Sequence, residues 1–442
     1  MIAAMNDTSV ARTLAGFASG FRWSMAPQET RRVLQLSLLD YCVVALAGVD
    51  EPASRAVRAM LLAEGGIGEA GIIGGGQCPA RAAALVNGTC AHALDYDDTH
   101  FAHIGHLAAV VFPAVLAVAE REGASGPACL EAALVGYELA THVGRWLGRG
   151  HYEAGFHQTA TAGIFGAAVG AGRLLRLGED ALQHVLGLAA TRAAGLKAQF
   201  GTMGKPYNAG MAASGAVEVA LLVAGGFRAN PHAVEAFGDT HAGEGNSEIF
   251  ADLGKTYTVQ EVSHKYHACC HGTHAALEAL TQLRRGGLPI QELAAVDIRV
   301  HPRWLKVCNI ASPTTGLEAK FSYRAVAAMQ LMGRDTGALD SFAGDPSQDA
   351  GFRLLCDRIN VAGDDRLSDS VAQVAVRLKT GQQLQASHDL KAPQTLQSRE
   401  ARLLAKAGTL VGTAQANRIW QVIQAFDCGG AVKRLSRLLR EV

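Results

Sequence analysis

The stretch Thr159–Gly172, TATAGIFGAAVGAG, decides the architecture. Its side chains are small or apolar on nearly every face, so a helix here has no polar stripe to turn toward water and must lie inside a core of other helices. Gly163, Gly166, Ala167, Gly170 and Ala171 would let helix backbones approach closely. The run is closed off by His157 and Arg173, short of the about 18 apolar residues expected of a membrane span. Working outward, Leu107–Ala119 and Ala212–Val223 are apolar all round in the same way. In Glu131–Trp146, Val135, Leu139, Val143 and Trp146 recur at the spacing of one helix face. From about Asp7 to Gly238 the chain therefore reads as a succession of helices punctuated by Gly, Pro and Asp.

The texture changes after Val262. Val296, Ile298 and Val300 alternate with Asp297 and Arg299, the period of a strand, and Val371–Leu378 with Gln382–Ser387 reads as a hairpin around Thr380-Gly381. Lys320–Met332 and Phe352–Ile359 look helical, and helices return from Leu396 to Val442. The expected fold is mainly α: a large all-helical domain over residues 1–262, completed by 396–442, and a smaller α+β domain over 263–395.

Composition narrows the function. Forty Lys plus Arg balance forty Asp plus Glu over 442 residues, which argues against nucleic acid or an anionic membrane as partner. The first 23 residues lack a basic start followed by an apolar run, because Asn6, Asp7 and Thr8 interrupt it, so no secretory signal is expected. Nine cysteines, an odd number with no C-x-x-C pair, point away from a disulfide framework and toward the cytoplasm. Gly66-Ile67-Gly68-Glu69-Ala70-Gly71 matches the dinucleotide fingerprint, yet a helix is expected before it and a short strand or turn after it. That is the wrong context for a pyrophosphate on a helix N-terminus.

Chemistry concentrates in two windows that hold seven of the sixteen histidines. Asp95 to His106 carries three carboxylates and three imidazoles between two apolar helices, where polar groups are costly unless they bond to one another or to a ligand. A metal site and a metal-free acid/base or anion-binding site both fit, and part of the set is expected simply to cap helices. His264 to His274 carries four more histidines around Lys265 and Cys269-Cys270. Gly272 suggests a helix starting nearby with His274 in its first turn, a place suited to a carboxylate. Lys205, between Gly204 and Pro206 before an apolar helix, is poorly explained as a solvated charge. Gly155-Phe156-His157 and Lys320-Phe321-Ser322-Tyr323 complete the set.

Taken in order, Ala93-Leu94-Asp95-Tyr96-Asp97-Asp98-Thr99, Gly136-Tyr137-Glu138, Gly155-Phe156-His157, Gly204-Lys205-Pro206, Cys269-Cys270-His271-Gly272-Thr273-His274 and Ala319-Lys320-Phe321-Ser322 resemble the MmgE/PrpD family over essentially the whole chain. That family includes 2-methylcitrate dehydratase, cis-aconitate decarboxylase and iminodisuccinate epimerase. The resemblance implies a helical domain built from both chain ends, an α+β lid, a homodimer, an active site between the domains, and chemistry on di- or tricarboxylates without metal or organic cofactor. Its site pattern matches Asp95, Thr99, His157, Lys205, His274 and Tyr323. His106 matches with one extra residue after Thr99. Two departures stand out: His106-Leu107-Ala108 replaces the His-Pro-Ser of many members, and Tyr207-Asn208 stands where many have a histidine.

The expected activity is thus a cofactor-independent lyase, dehydrating a 2-methylcitrate-like hydroxy acid by proton abstraction next to a carboxylate. Epimerisation or decarboxylation on the same scaffold is the alternative. Cationic Lys205 and protonated His106, His157 and His274 would neutralise the enediolate-like intermediate. Asp95, His106, Lys205, His274 and Tyr323 are the expected catalytic residues, and Thr99, His157, Lys265 and His271 the substrate-binding ones. A metal-dependent hydrolase or lyase, or a non-catalytic carboxylate-binding protein, are the other readings.

Overall fold

The computed structural model describes residues 9–441; Asn6, Asp7 and Thr8, on which the reading of the N-terminus rested, lie outside them. Two compact units divide the chain. The first ends at His264 and resumes at Leu403, and the second is Lys265–Arg402.

The first unit is helical, and its centre is built by close backbone crossings. Thr159–Gly172 folds as a short helix, Gln158–Thr161, followed by Gly163–Leu174, whose residues are buried almost throughout. Against it lies Gly126–Glu153, opened by Ser125 accepting a hydrogen bond from the Ala128 amide and interrupted at Gly148. A Cβ on Gly166 would stand 2.0 Å from the Gly136 carbonyl oxygen and 2.7 Å from the Ala140 nitrogen, so only glycine admits this crossing. Val135, Leu139 and Val143 are fully buried on the same helix.

A second crossing positions the site. Helix Ala80–Ala93 meets helix Gly204–Ala224 where a Cβ on Gly210 would lie 2.4 Å from the Leu85 carbonyl oxygen. The C-terminal end of the first helix leads into Asp95, and the first turn of the second carries Lys205. By length and composition alone Gly204–Ala224 could cross a membrane. Its apolarity is spread over Ala, Gly and Val rather than held in an unbroken run, and 67% of its most apolar window is buried inside the protein.

Two short strands, β1 (Ala70–Gly71) and β2 (Gln77–Cys78), pair antiparallel. The glycine fingerprint therefore runs from the end of helix Pro52–Glu64 into β1, with no helix opening inside it.

The second unit holds a four-stranded sheet made of β3 (Leu293–Val300), β4 (Ile359–Gly363), β5 (Val371–Leu378) and β6 (Gln383–Asp389), in the order β4-β3-β5-β6. β3 pairs parallel with β4 and antiparallel with β5, with Val296 opposite Val376 and Ile298 opposite Val374. These four are buried on one face, while Asp297 and Arg299 face outward. The β5–β6 hairpin turns at Gly381, whose φ of 87° suits glycine. Phe352–Ile359 is corrected: the helix is Ala350–Cys356, capped by Asp349, and Ile359 already belongs to β4. Three buried partners on β3 recruit that short segment as a strand, a contact its own pattern does not show. Lys320–Met332 narrows to helix Tyr323–Leu331, because Ser322 is its cap and accepts from the Ala325 amide.

Candidate active site

Helix Ala80–Ala93 ends at Leu94, and Asp95 follows with φ +51°, a left-handed conformation uncommon outside glycine. That turn puts Asp95 and Asp97 back beside His92, on the last turn of the same helix. Asp97 is fully buried and its Oδ2 accepts from His92 Nδ1 at 2.9 Å, while His106 Nδ1 stands 3.2 Å from the same oxygen. Burial alone would raise the Asp97 carboxyl, but the His106 and His92 imidazoles outweigh it and hold it well below the usual carboxylate range. His106 Nε2 lies 3.5 Å from Asp95 Oδ1, and Lys205 Nζ lies 2.8 Å from the same oxygen. Lys205 comes from the first turn of Gly204–Ala224, with its ammonium 5.4 Å from the centre of the Phe200 ring.

The result is an alternating row: Lys205, Asp95, His106, Asp97, His92. Its backbone is held as firmly as its side chains. The His106 amide donates to Thr159 Oγ1 at 3.0 Å, and Gly105 leaves room for it, since a Cβ there would meet that oxygen at 2.8 Å. His157 adds its ring to the row, stacked on His92 at 5.6 Å and edge-on to Phe200 at 4.9 Å. Burial first, then the charges of His92, Lys205 and His106, push the His157 pKa well down. It is a neutral group here, and the expectation of a protonated His157 is corrected.

The other polar residues of the window serve the fold. Asp98 accepts from the Ala108 amide at the start of helix Ala108–Arg121 and from the Tyr137 hydroxyl; burial, then the neighbouring Asp97, raises it to about 7. His100 bonds the Thr258 carbonyl and His103 the Ala140 carbonyl, and burial lowers His103 to about 3. Thr99 pairs with Ser263 through both backbone groups. Of the three histidines in the window, only His106 faces the carboxylates Asp95 and Asp97. His92 was not anticipated, because one histidine in an alanine-rich helix carries no pattern. Its position in the last turn before the aspartates was the available signal.

One ligand atom each from His92, Asp95, Asp97 and His106 can be chosen within 4.8 Å of one another, a set whose chemistry suits a divalent cation. Lys205 already stands against Asp95, and a dication there would face its ammonium.

The second unit gathers the other window. His274 opens helix His274–Arg285, as expected, with Nε2 3.3 Å from the Cys269 carbonyl oxygen. Its ring lies 4.8 Å from that of His271 and 5.0 Å from that of His267. Burial, then His271, His267 and Lys265, push its pKa well down, so it too is neutral rather than cationic. His267 bonds Thr336 and Glu278, and Glu278 also pairs with Arg402. Burial opposes this, but His267 and Arg402 bring the Glu278 carboxyl down to about 2. Lys265 is buried. The Tyr323 hydroxyl donates to the Gly272 carbonyl at 2.7 Å, and burial raises its pKa well above the phenol value. As folded, that proton braces the turn ahead of His274 instead of standing ready as an acid.

The family model of the MmgE/PrpD N-terminal domain matches residues 12–242, and that of the MmgE/PrpD C-terminal domain matches residues 267–427. A cis-aconitate decarboxylase of Aspergillus terreus (strain NIH 2624 / FGSC A1156) is 30% identical over 63% of this chain and 61% of its own length. The human cis-aconitate decarboxylase is 28% identical over 58% of this chain and 56% of its own length. The chain thus spans about three fifths of the length of these curated relatives. With both halves of the molecule matched in order, the chain belongs to the MmgE/PrpD family.

Proposed function

We propose that the protein is an acid–base lyase acting on a small di- or tricarboxylate, with decarboxylation of a cis-aconitate-like substrate as its reaction. The observation that carries the reading is the row from Lys205 through Asp95, His106 and Asp97 to His92. A half-buried ammonium and buried imidazole N–H groups suit a substrate carboxylate and the negative charge that spreads onto it when a neighbouring bond breaks. Loss of carbon dioxide leaves its bonding electron pair on carbon, delocalised into the remaining carboxylate, and a proton must then be delivered. His106 stands with Nδ1 3.2 Å from Asp97 and Nε2 3.5 Å from Asp95, so it can carry the proton with the two carboxylates stabilising the imidazolium. The relatives named cis-aconitate decarboxylase support the choice of bond.

Dehydration of a 2-methylcitrate-like hydroxy acid is the second reading. It needs a base and an acid together, and Asp95 with His106, 3.5 Å apart, could supply both. Incubation in deuterated buffer with citrate, 2-methylcitrate, cis-aconitate and iminodisuccinate, followed by NMR, tests both. Deuterium entering a product that has lost carbon dioxide supports decarboxylation, and a new olefin from a hydroxy acid supports dehydration. Exchange without net reaction would indicate epimerisation. No turnover and no exchange with any of them would overturn the lyase reading in favour of a carboxylate-binding protein. The reading also includes a cytoplasmic homodimer, which light scattering at twice the chain mass would support.

A further inference from the structure

Asn208 sits on the second turn of helix Gly204–Ala224, 6% exposed, against the segment that holds His157. Residues 155–157 and 195–197 run antiparallel there: the His157 amide donates to the Gly195 carbonyl at 2.9 Å, the Lys197 amide to the Gly155 carbonyl at 2.8 Å, and Phe156 is bridged to Leu196. Gly195, at φ +145°, leaves the space in between; a Cβ on it would stand 2.9 Å from Ala160 Cβ and 3.6 Å from Asn208 Cγ. Asn208 Nδ2 reaches both partners, donating to the Leu196 carbonyl at 3.3 Å and standing 3.2 Å from His157 Nδ1.

The Leu196 carbonyl can only accept, so the amide's NH2 end must point toward it. The second N–H of that group then points at His157 Nδ1, which must offer a lone pair. In a neutral imidazole the proton is left on Nε2. The titratable groups acting on this ring are His92, Lys205, His106 and Asp95; the first three oppose a second proton and Asp95 favours one.

We propose that Asn208 is a positioning residue that holds His157 as the neutral Nε2–H tautomer, making it a hydrogen-bond donor toward the substrate carboxylate and neither a cation nor a base. The contact with substrate rests on the proposed function; the tautomer does not. At a position where many members of the family have a histidine, the Asn208 amide sets the chemistry of the neighbouring ring. A carboxylate at 208 would demand the opposite proton position.

The test uses the full chain labelled with 15N-histidine, with His157 assigned from the signal lost in His157→Gln. Long-range 1H–15N spectra at neutral pH should show His157 with an unprotonated Nδ1 and a protonated Nε2. Asn208→Asp should move the proton to Nδ1 or give the cation, and shift the acidic limb of the kcat profile to higher pH. Asn208→Ala should mix the tautomers and lower kcat roughly ten- to a hundredfold, the factor a lost buried hydrogen bond carries. A wild-type His157 that is cationic or protonated at Nδ1 overturns the proposal, as does an unchanged tautomer in both variants. If Asn208→Asp does not fold, the wild-type and Asn208→Ala spectra still decide. Failure of the lyase reading would leave these spectra unchanged, so the two outcomes separate.

Discussion

The two histidine windows are built from similar residues and end in opposite electrostatic states. In the first, His106 is set between Asp95 and Asp97, and His92, three residues ahead of the window, bonds Asp97, so imidazoles hold Asp97 ionised though fully buried. In the second, His271 and His274 lean on one another, on His267 and on a backbone carbonyl, and burial drives His274 neutral. His267 meets a carboxylate, Glu278, which it shares with Arg402. The difference teaches that a histidine cluster acquires its chemistry from the acids that reach it, and the spacing of the histidines does not reveal those acids.

The largest expected effect breaks the charged row at its end. Lys205→Met should lower kcat/KM by about 10²- to 10³-fold, the magnitude of losing a preorganised charge stabiliser, with little change in the urea midpoint. Retention of near wild-type kcat/KM would move the catalytic charge away from the first window. Next, Asp97→Asn should cost about a hundredfold or more in kcat, because His106 loses the buried charge that stabilises its imidazolium. The same variant reports on stability. Asp97 has a depressed folded pKa, so its contribution is complete above an unfolded value of about 3.9 and is lost as pH falls through the folded value. Wild type should therefore lose stability below about pH 4 more steeply than Asp97→Asn in urea titrations.

The second window predicts a different range of pH. His274 also has a depressed folded pKa, but for a histidine this means that the unfolded chain takes up the proton first, so stability is lost as pH falls below about 6.5. His274→Gln should flatten the urea midpoint between about pH 7 and 5, the interval below the ordinary histidine value. Equal slopes for variant and wild type would show that His274 is not buried neutral. The smallest effects concern the glycines that admit each window. In Gly105→Ala the new methyl meets Thr159, which holds the His106 amide, so activity should fall more than stability. In Gly272→Ala it meets the Trp304 ring, and the expected loss is about 1–3 kcal/mol of stability, the usual penalty for overpacking.

Legibility followed the range of the interaction. Thr159–Gly172 announced a buried helix because burial on every side excludes polar residues locally, and the β3 alternation announced a strand because burial on one face excludes them at every second position. Lys205 was legible because a charge between Gly204 and Pro206 lacks a local explanation. His92 was not, nor was the division of labour among His100, His103 and His106. Three histidines three residues apart are indistinguishable until Thr258, Ala140 and Asp97 arrive to claim one each. The protonation of His157 and His274 was misread because composition places positive groups together but does not show the burial that removes their charge.

By itself, then, the sequence determined the helical core, the strand-bearing second unit and the neighbourhood in which chemistry is concentrated. Those follow from hydrophobic periodicity and from the cost of burying polar groups, both properties of short stretches. The tertiary structure alone decided which acid meets which imidazole, that Asp95 turns back through a left-handed residue to meet Lys205 from a helix 110 positions later, and that the Asn208 amide stands against His157 Nδ1. Hydrogen bonds and ion pairs act over a few ångströms between segments far apart in the chain, and only folding brings those segments within reach.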